Sequence, residues 1–163
     1  MDIEPPDCFH VLAAQGWLEL GNVAEARADL ARVSPRHVEH PCVLEVGWQL
    51  FAKEKAWEEC LGLAARLTRL VPDNPAGWVH QSFALHELKQ TQEARDNLLN
   101  AAKRFPNDAL ICYNLACYEC QLGEMGQARQ WLERACRFGD AKRFKKLARE
   151  DPDLSPLWDN EPR

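Results

Sequence analysis

Leu110-Ile-Cys-Tyr-Asn-Leu-Ala-Cys-Tyr-Glu-Cys-Gln-Leu122, closed by Gly123 and followed by a second run from Met125 that carries Ala128, Leu132 and Ala135, decides the fold. The first run reads as one helix, and Gly123 suits the left-handed conformation at a helix end. In the second run, steps of four and three put Ala128, Leu132 and Ala135 on a single helical stripe. The layout recurs at a constant interval. Ala26, Cys60, Ala94 and Ala128 lie 34 residues apart, and so do Leu30, Ala64, Leu98 and Leu132. One helix pair of this size is too small to bury its own apolar face, so the copies must stack to form a continuous core.

Steps of 34 divide the chain into an N-terminal extension (1–6), four units (7–40, 41–74, 75–108 and 109–142) and a C-terminal cap and tail (143–163). Gly21 ends the first helix of the first unit as Gly123 does in the fourth, whereas Lys55 and Lys89 take that place in the middle units and should make those turns cost slightly more. Pro72 and Pro106 stop the second helices of the second and third units, because proline lacks an amide proton and clashes with the preceding turn. Asn74 and Asp108 then stand where they can cap the helices that follow. Pro35 arrives three residues early, so the connection from 34 to 41 should be longer and less regular.

The spacing and the residues together resemble the tetratricopeptide repeat (TPR) family, whose unit is a 34-residue helix-turn-helix with small residues where helices cross. Trp78, Leu85, Ala94, Leu98, Ala101 and Pro106 stand at the family's Trp, Tyr, Ala, Phe, Ala and Pro places in the third unit. The fourth unit matches through Leu115, Ala116, Gly123, Ala128, Leu132 and Ala135, and the first through Ala13, Ala14, Trp17, Gly21, Ala26, Leu30 and Val33. The second departs most: Gly47 and Trp48 reverse the usual large-then-small order, and Ala64 replaces a bulky residue, a vacancy that Trp48 is expected to fill. The resemblance implies an all-α, right-handed α-solenoid of four TPR helix-turn-helix units with a C-terminal cap. Ala141-Lys-Arg-Phe-Lys-Lys-Leu-Ala-Arg149 supplies the capping helix, with Phe144, Leu147 and Ala148 on its apolar side. Leu154, Leu157 and Trp158 should fold back onto the same end, in a tail similar to those of many bacterial TPR proteins.

Composition narrows the function. With 163 residues, 46% hydrophobic and 28% charged, and a net charge of −5, the chain has the make-up of a soluble globular protein and lacks the basic surface of a general nucleic-acid binder. The acidic, proline-bearing start is unlike a secretory signal, and no window offers the apolar length of a membrane helix, so a cytoplasmic protein with no membrane partner is expected. The seven cysteines are odd in number and fall within helical patterns, which marks them as reduced core residues. Cys117 and Cys120 make one Cys-x-x-Cys pair, but a zinc site usually needs a second such pair or histidines at ligand spacing, and His80 and His86 are six apart, so no metal and no cofactor are expected. The histidines, His10, His37, His40, His80 and His86, are scattered, and no phosphate loop or nucleophile elbow is present, so the chain is read as no enzyme.

In TPR proteins the first helices line the concave face. That implies an inner surface formed by Val11, Leu12 and Gln15 in the first unit, Glu45, Val46 and Gln49 in the second, Val79, His80 and Phe83 in the third, and Tyr113, Asn114 and Cys117 in the fourth. Apolar and amide groups of this kind suit an extended or helical segment of another protein. The cationic clamp by which some TPR domains hold acidic chaperone tails is absent, since Val11, Gln15, Val46, Ala76 and His80 occupy its places. Lys142, Arg143, Lys145, Lys146 and Arg149 read as the wet face of the capping helix rather than as a docking patch. The expected function is a protein-protein interaction scaffold with no nucleic-acid partner, monomeric or weakly homodimeric. The alternatives are a small secretion-type TPR chaperone and a structural protein that self-associates near Phe9 and Trp17.

Overall fold

Proline, glycine and short polar caps set the helix ends in the computed structural model, which describes residues 3–158. Helix α1 spans Asp7–Glu19, α2 Val23–Leu30, α3 Pro41–Lys53, α4 Trp57–Leu70, α5 Ala76–Glu87, α6 Thr91–Arg104, α7 Ala109–Gln121, α8 Met125–Phe138 and α9 Ala141–Glu150, and a 3-10 helix follows at Pro152–Leu157. No strand occurs among the described residues. Gly21 and Gly123 adopt φ of 77° and 85°, and Lys55 and Lys89 are forced into the same left-handed region at 59° and 66°. Asp108 Oδ1 accepts from Ile111 N at 2.9 Å, and Asn74 Oδ1 from Ala76 N at 2.9 Å, so two of the orphan amides at helix starts are satisfied.

The chain divides within α5 into two compact units, one up to His80 and the other from Gln81. In the first, α1 packs on α2 and α3, and α3 on α4. Its core is built from Val11, Ala14, Leu18, Ala26, Val46 and Leu50. Ala14, Ala26, Cys60 and Ala64 are fully buried, the small side chains that let helices approach closely. Gly47 has the same use: a Cβ there would lie 3.3 Å from Leu63 Cδ1, so its absence lets the α4 leucine close on α3. The structure stacks Trp48 on the His80 ring, with centroids 3.9 Å apart. The reversed order of residues at 47 and 48 thus admits Leu63 on one side and an aromatic stack on the other.

Helix α2 stops at Leu30, and turns carry the chain to Pro41. The early Pro35 accounts for part of this. The rest comes from Asp7, the first residue of α1, which is only 2% exposed. Its carboxylate accepts from Ser34 N at 3.1 Å, from Ser34 Oγ, and from His37 Nδ1 at 2.6 Å. These bonds, the Ser34 hydroxyl first, hold the carboxyl down at about 2.

In the second unit α7 packs on α6 and α8, α9 lies on α8, and the 3-10 helix covers part of α7 while touching α8 and α9. Ile111, Leu115, Ala116, Leu154 and Leu157 are all fully buried. Phe144 and Ala148 are buried as expected, but Leu147 is 40% exposed. The contact stripe of α9 is one i, i+4 pair wide, and Leu147 lies about 60° around the helix from Phe144, on the side away from Ala148.

Candidate functional site

The expected inner-face residues recur in register: 11, 45, 79 and 113 form one column and 15, 49, 83 and 117 another. The first unit brings its share together. Val11, Leu12 and Gln15 of α1 and Glu45, Val46 and Gln49 of α3 line one cleft of about 630 Å³, with Ile3, Leu67, Val71, Asn74 and Ala76 among the other walls. Val11, Val46 and Leu67 form a buried floor, whereas Leu12 is 64% exposed and Gln15 is exposed at the rim. Val79, expected at the surface, is buried and belongs to packing.

Among the described residues Glu45 is the single charged one in the cleft lining. A carboxylate only accepts, so His80 Nε2 donates to Glu45 Oε1 at 2.7 Å. That bond, aided by one from Gln49 and opposed by burial, keeps the Glu45 carboxyl below its ordinary value. His80 is therefore occupied by Glu45 and by the Trp48 ring rather than presented to solvent. With no Lys or Arg among the described lining residues, these have nothing to pair with a terminal carboxylate. Its chemistry is an apolar floor edged with amides.

The second unit treats the matching positions differently. Tyr113 and Cys117, expected on an open groove, are each only 4% exposed, because the chain's own tail lies on them. Tyr113 Oη donates to Asp151 Oδ2 at 2.7 Å, and the Cys117 thiol points to the same oxygen at 3.7 Å. Burial first, and then the Asp151 carboxylate, pushes both groups far up, so they act as neutral donors. His86 Nε2 donates to Asp153 Oδ2 at 3.1 Å, and its Nδ1 is hydrogen-bonded to the Thr91 hydroxyl at 2.9 Å. The His86 bond holds the Asp153 carboxyl below its ordinary value. Gln121 Nε2 donates to the Asp153 carbonyl at 2.8 Å. Phe83 is 37% exposed and Asn114 is half-buried. The cause of the correction at Tyr113 and Cys117 is covalent adjacency: Asp151-Pro-Asp153 follows α9 directly and is delivered to the surface of α7. No local pattern in the sequence marks Asp151 and Asp153, since Tyr113 and His86 lie 38 and 67 residues away from them.

The remaining polar clusters fasten helices. In the first unit Ser34 and His37 both donate to Asp7, so the serine proton is directed to a carboxylate and not to a histidine base. Asp29 likewise accepts from Trp17 Nε1 and Arg32, each at 3.0 Å. Among the described residues no group of three or more His, Cys, Asp or Glu is placed to hold a metal ion, and no helix is long and apolar enough to cross a membrane.

No family model matches the sequence, and no curated protein matches it. Solved structures do. A thermophilic TPR protein of Thermus thermophilus superposes with a TM-score of 0.77 at 17% identity, over 93% of this chain and 81% of that one. MamA MSR-1 gives 0.65 at 17% identity over 82% and 76%. The APC/C hetero-tetramer Cut9-Hcn1 gives 0.69 at 17% identity, over 91% of this chain but only 28% of that one. The fold of this chain is the all-α TPR fold expected from its register.

Proposed function

We propose that this TPR-fold chain is a non-catalytic, cytoplasmic interaction scaffold that takes a peptide or helical segment of a partner protein into the cleft of its first unit. The observation that carries the reading is that one open cleft gathers Val11, Leu12, Gln15, Glu45, Val46 and Gln49 from two helices. Each glutamine offers both a donor and an acceptor to a ligand backbone, and the floor of Val11, Val46 and Leu67 receives apolar anchors. In this reading the units at 7–40, 41–74, 75–108 and 109–142 are the stacking repeats and residues 143–163 the cap. The neighbour Cut9-Hcn1 is itself a hetero-tetramer, which supports a role in holding another protein.

A phage-displayed library of random dodecapeptides tests this directly. The chain should enrich peptides with spaced apolar residues. Leu12→Glu combined with Gln49→Ala should cut their binding by about tenfold or more while leaving the melting temperature nearly unchanged, since hot-spot contacts carry most of the energy. Enrichment of the same peptides by wild type and double mutant would refute the cleft. A second reading, self-association through α1, is favoured by the exposure of Phe9 at 62% and Leu20 at 77%. Sedimentation separates the two: a dimer that Phe9→Glu dissociates supports self-association.

A further inference from the structure

A second cleft, of about 680 Å³, opens wholly within the other unit, against α8, α9 and the end of the 3-10 helix. Its floor is apolar: Leu132, Ala148 and Leu157 are all at most 9% exposed. Its rim is cationic, with Arg129 from α8 and Lys145, Lys146 and Arg149 from α9, against one carboxylate among the described lining residues, Glu133, while Glu150 lies 3.9 Å from the Lys146 ammonium just outside the lining. Four cations at one recess in a chain of net charge −5 is a strong local reversal of sign. Two of them are held in place by the tail. Arg129 donates to the Leu157 carbonyl at 2.9 Å, and the Arg149 guanidinium lies 4.2 Å over the Trp158 ring. Trp158 is anchored in turn, its Nε1 donating to the Ala148 carbonyl at 3.1 Å. Lys142 and Arg143, the other members of the basic run, are exposed and lie outside the cleft lining. The run therefore divides into a wet pair and three residues that face a recess, a division invisible without α8 and the tail in place.

We propose that this cleft docks an acidic segment of a partner protein. One aliphatic or aromatic side chain of the segment rests on Leu132 and Leu157, and its flanking carboxylates meet Arg129, Lys145, Lys146 and Arg149. The shape and charge choose this occupant over other polyanions. A recess with an apolar floor receives a side chain, whereas a bilayer surface would meet only the lysine tips. An RNA strand requires an open aromatic face for base stacking, and the aromatic in the lining, Trp158, already has a guanidinium over its ring. Charge-assisted bonds from arginine to a carboxylate supply direction, and the exposed lysines supply attraction that salt screens within about 10 Å.

The test is an amide chemical-shift titration of the isotope-labelled full chain. The probes are a panel of synthetic peptides in which Asp and Glu flank a single Leu, Phe or Trp, with lysine-flanked versions as controls. The acidic peptides should shift amides in residues 129–136, 145–149 and 157–158, and the controls should shift none. Binding should weaken by about tenfold or more with Lys145→Glu and Lys146→Glu together, or when salt rises from about 0.05 to about 0.3 M. Both lysines are exposed, so unchanged helix content is the check that the double variant folds. The proposal is overturned if no acidic peptide shifts these amides. It is also overturned if polyuridylate or phosphatidylserine vesicles shift them while the peptides do not. Self-association of the chain alone, abolished by the same two substitutions, would assign the cleft to a second copy and overturn the proposal as well.

Discussion

Gln15 and Gln49 edge an open cleft in the first unit, while Cys117, in the same register column, is shut beneath Asp151 in the second. Val11 and Glu45 pair off with Tyr113 in the same way: two residues line a cavity, and the third spends its hydroxyl on the tail. The backbone geometry repeats and the chemistry of the surface does not. The difference comes from the segment after α9, which buries Leu154 and Leu157 completely. Removing each leucine from water stabilises the packed form by about 1.5–3 kcal/mol. Its two aspartates avoid an unpaired burial because neutral donors and His86 meet them. In a repeat protein, equal position thus secures equal backbone but not equal access.

The contrast is broken most severely by attacking the tail. Leu154→Ala should cost about 2–5 kcal/mol through lost burial and the cavity left behind. The loss should be local, with faster hydrogen exchange in α7 and α8 and unchanged exchange in α1 and α2, because stability in repeat proteins is carried by neighbouring interfaces. Equal acceleration in both units would show that the tail supports the whole chain. Next in size, Ala128→Leu and Ala26→Leu should each cost about 1–3 kcal/mol, because both sites are fully buried where helices cross. Ala24→Leu, exposed on α2, should change the denaturant midpoint little. If all three melted alike, the 34-residue column would not mark the crossings.

Smaller effects sharpen the comparison. Tyr113→Phe deletes the bond to Asp151 and should cost about 1 kcal/mol, while Gln49→Ala at the open rim should fall below about 0.5 kcal/mol in a urea titration. The ionic side of both units has a definite sign. Asp153 and Glu45 have carboxyls lowered by His86 and His80 from ordinary values of 3.8 and 4.5, so their contributions are complete above those values and vanish as pH falls through the lowered ones. Asp7, lowered to about 2, should hold its loop to the most acidic conditions. Acid titration followed by tail-amide exchange should show a shallower loss for Asp153→Asn than for wild type, and identical curves would mean that the His86 bond does not secure the tail. One expected change is a gain. Lys55→Gly and Lys89→Gly relieve left-handed backbone at φ of 59° and 66°, and each should raise stability by roughly 0.5–1 kcal/mol in thermal melts.

The register, the turns at Gly21, Lys55, Lys89 and Gly123, and the caps at Asn74 and Asp108 were all readable from residue order, because each depends on groups a few residues apart or on a spacing that recurs four times. That sufficed to identify the fold where no family model matched. The same register groups Val11, Gln15, Glu45 and Gln49, which line one cleft. Tertiary structure alone decided that Tyr113 and Cys117 are covered, that His80 is claimed by Glu45 and Trp48, and that Lys145, Lys146 and Arg149 face a recess. Each of these depends on a side-chain pairing that occurs once and does not recur from unit to unit, so no periodic signal announces it. Periodicity determines where helices cross, and only the packed chain determines which surfaces are left for a partner.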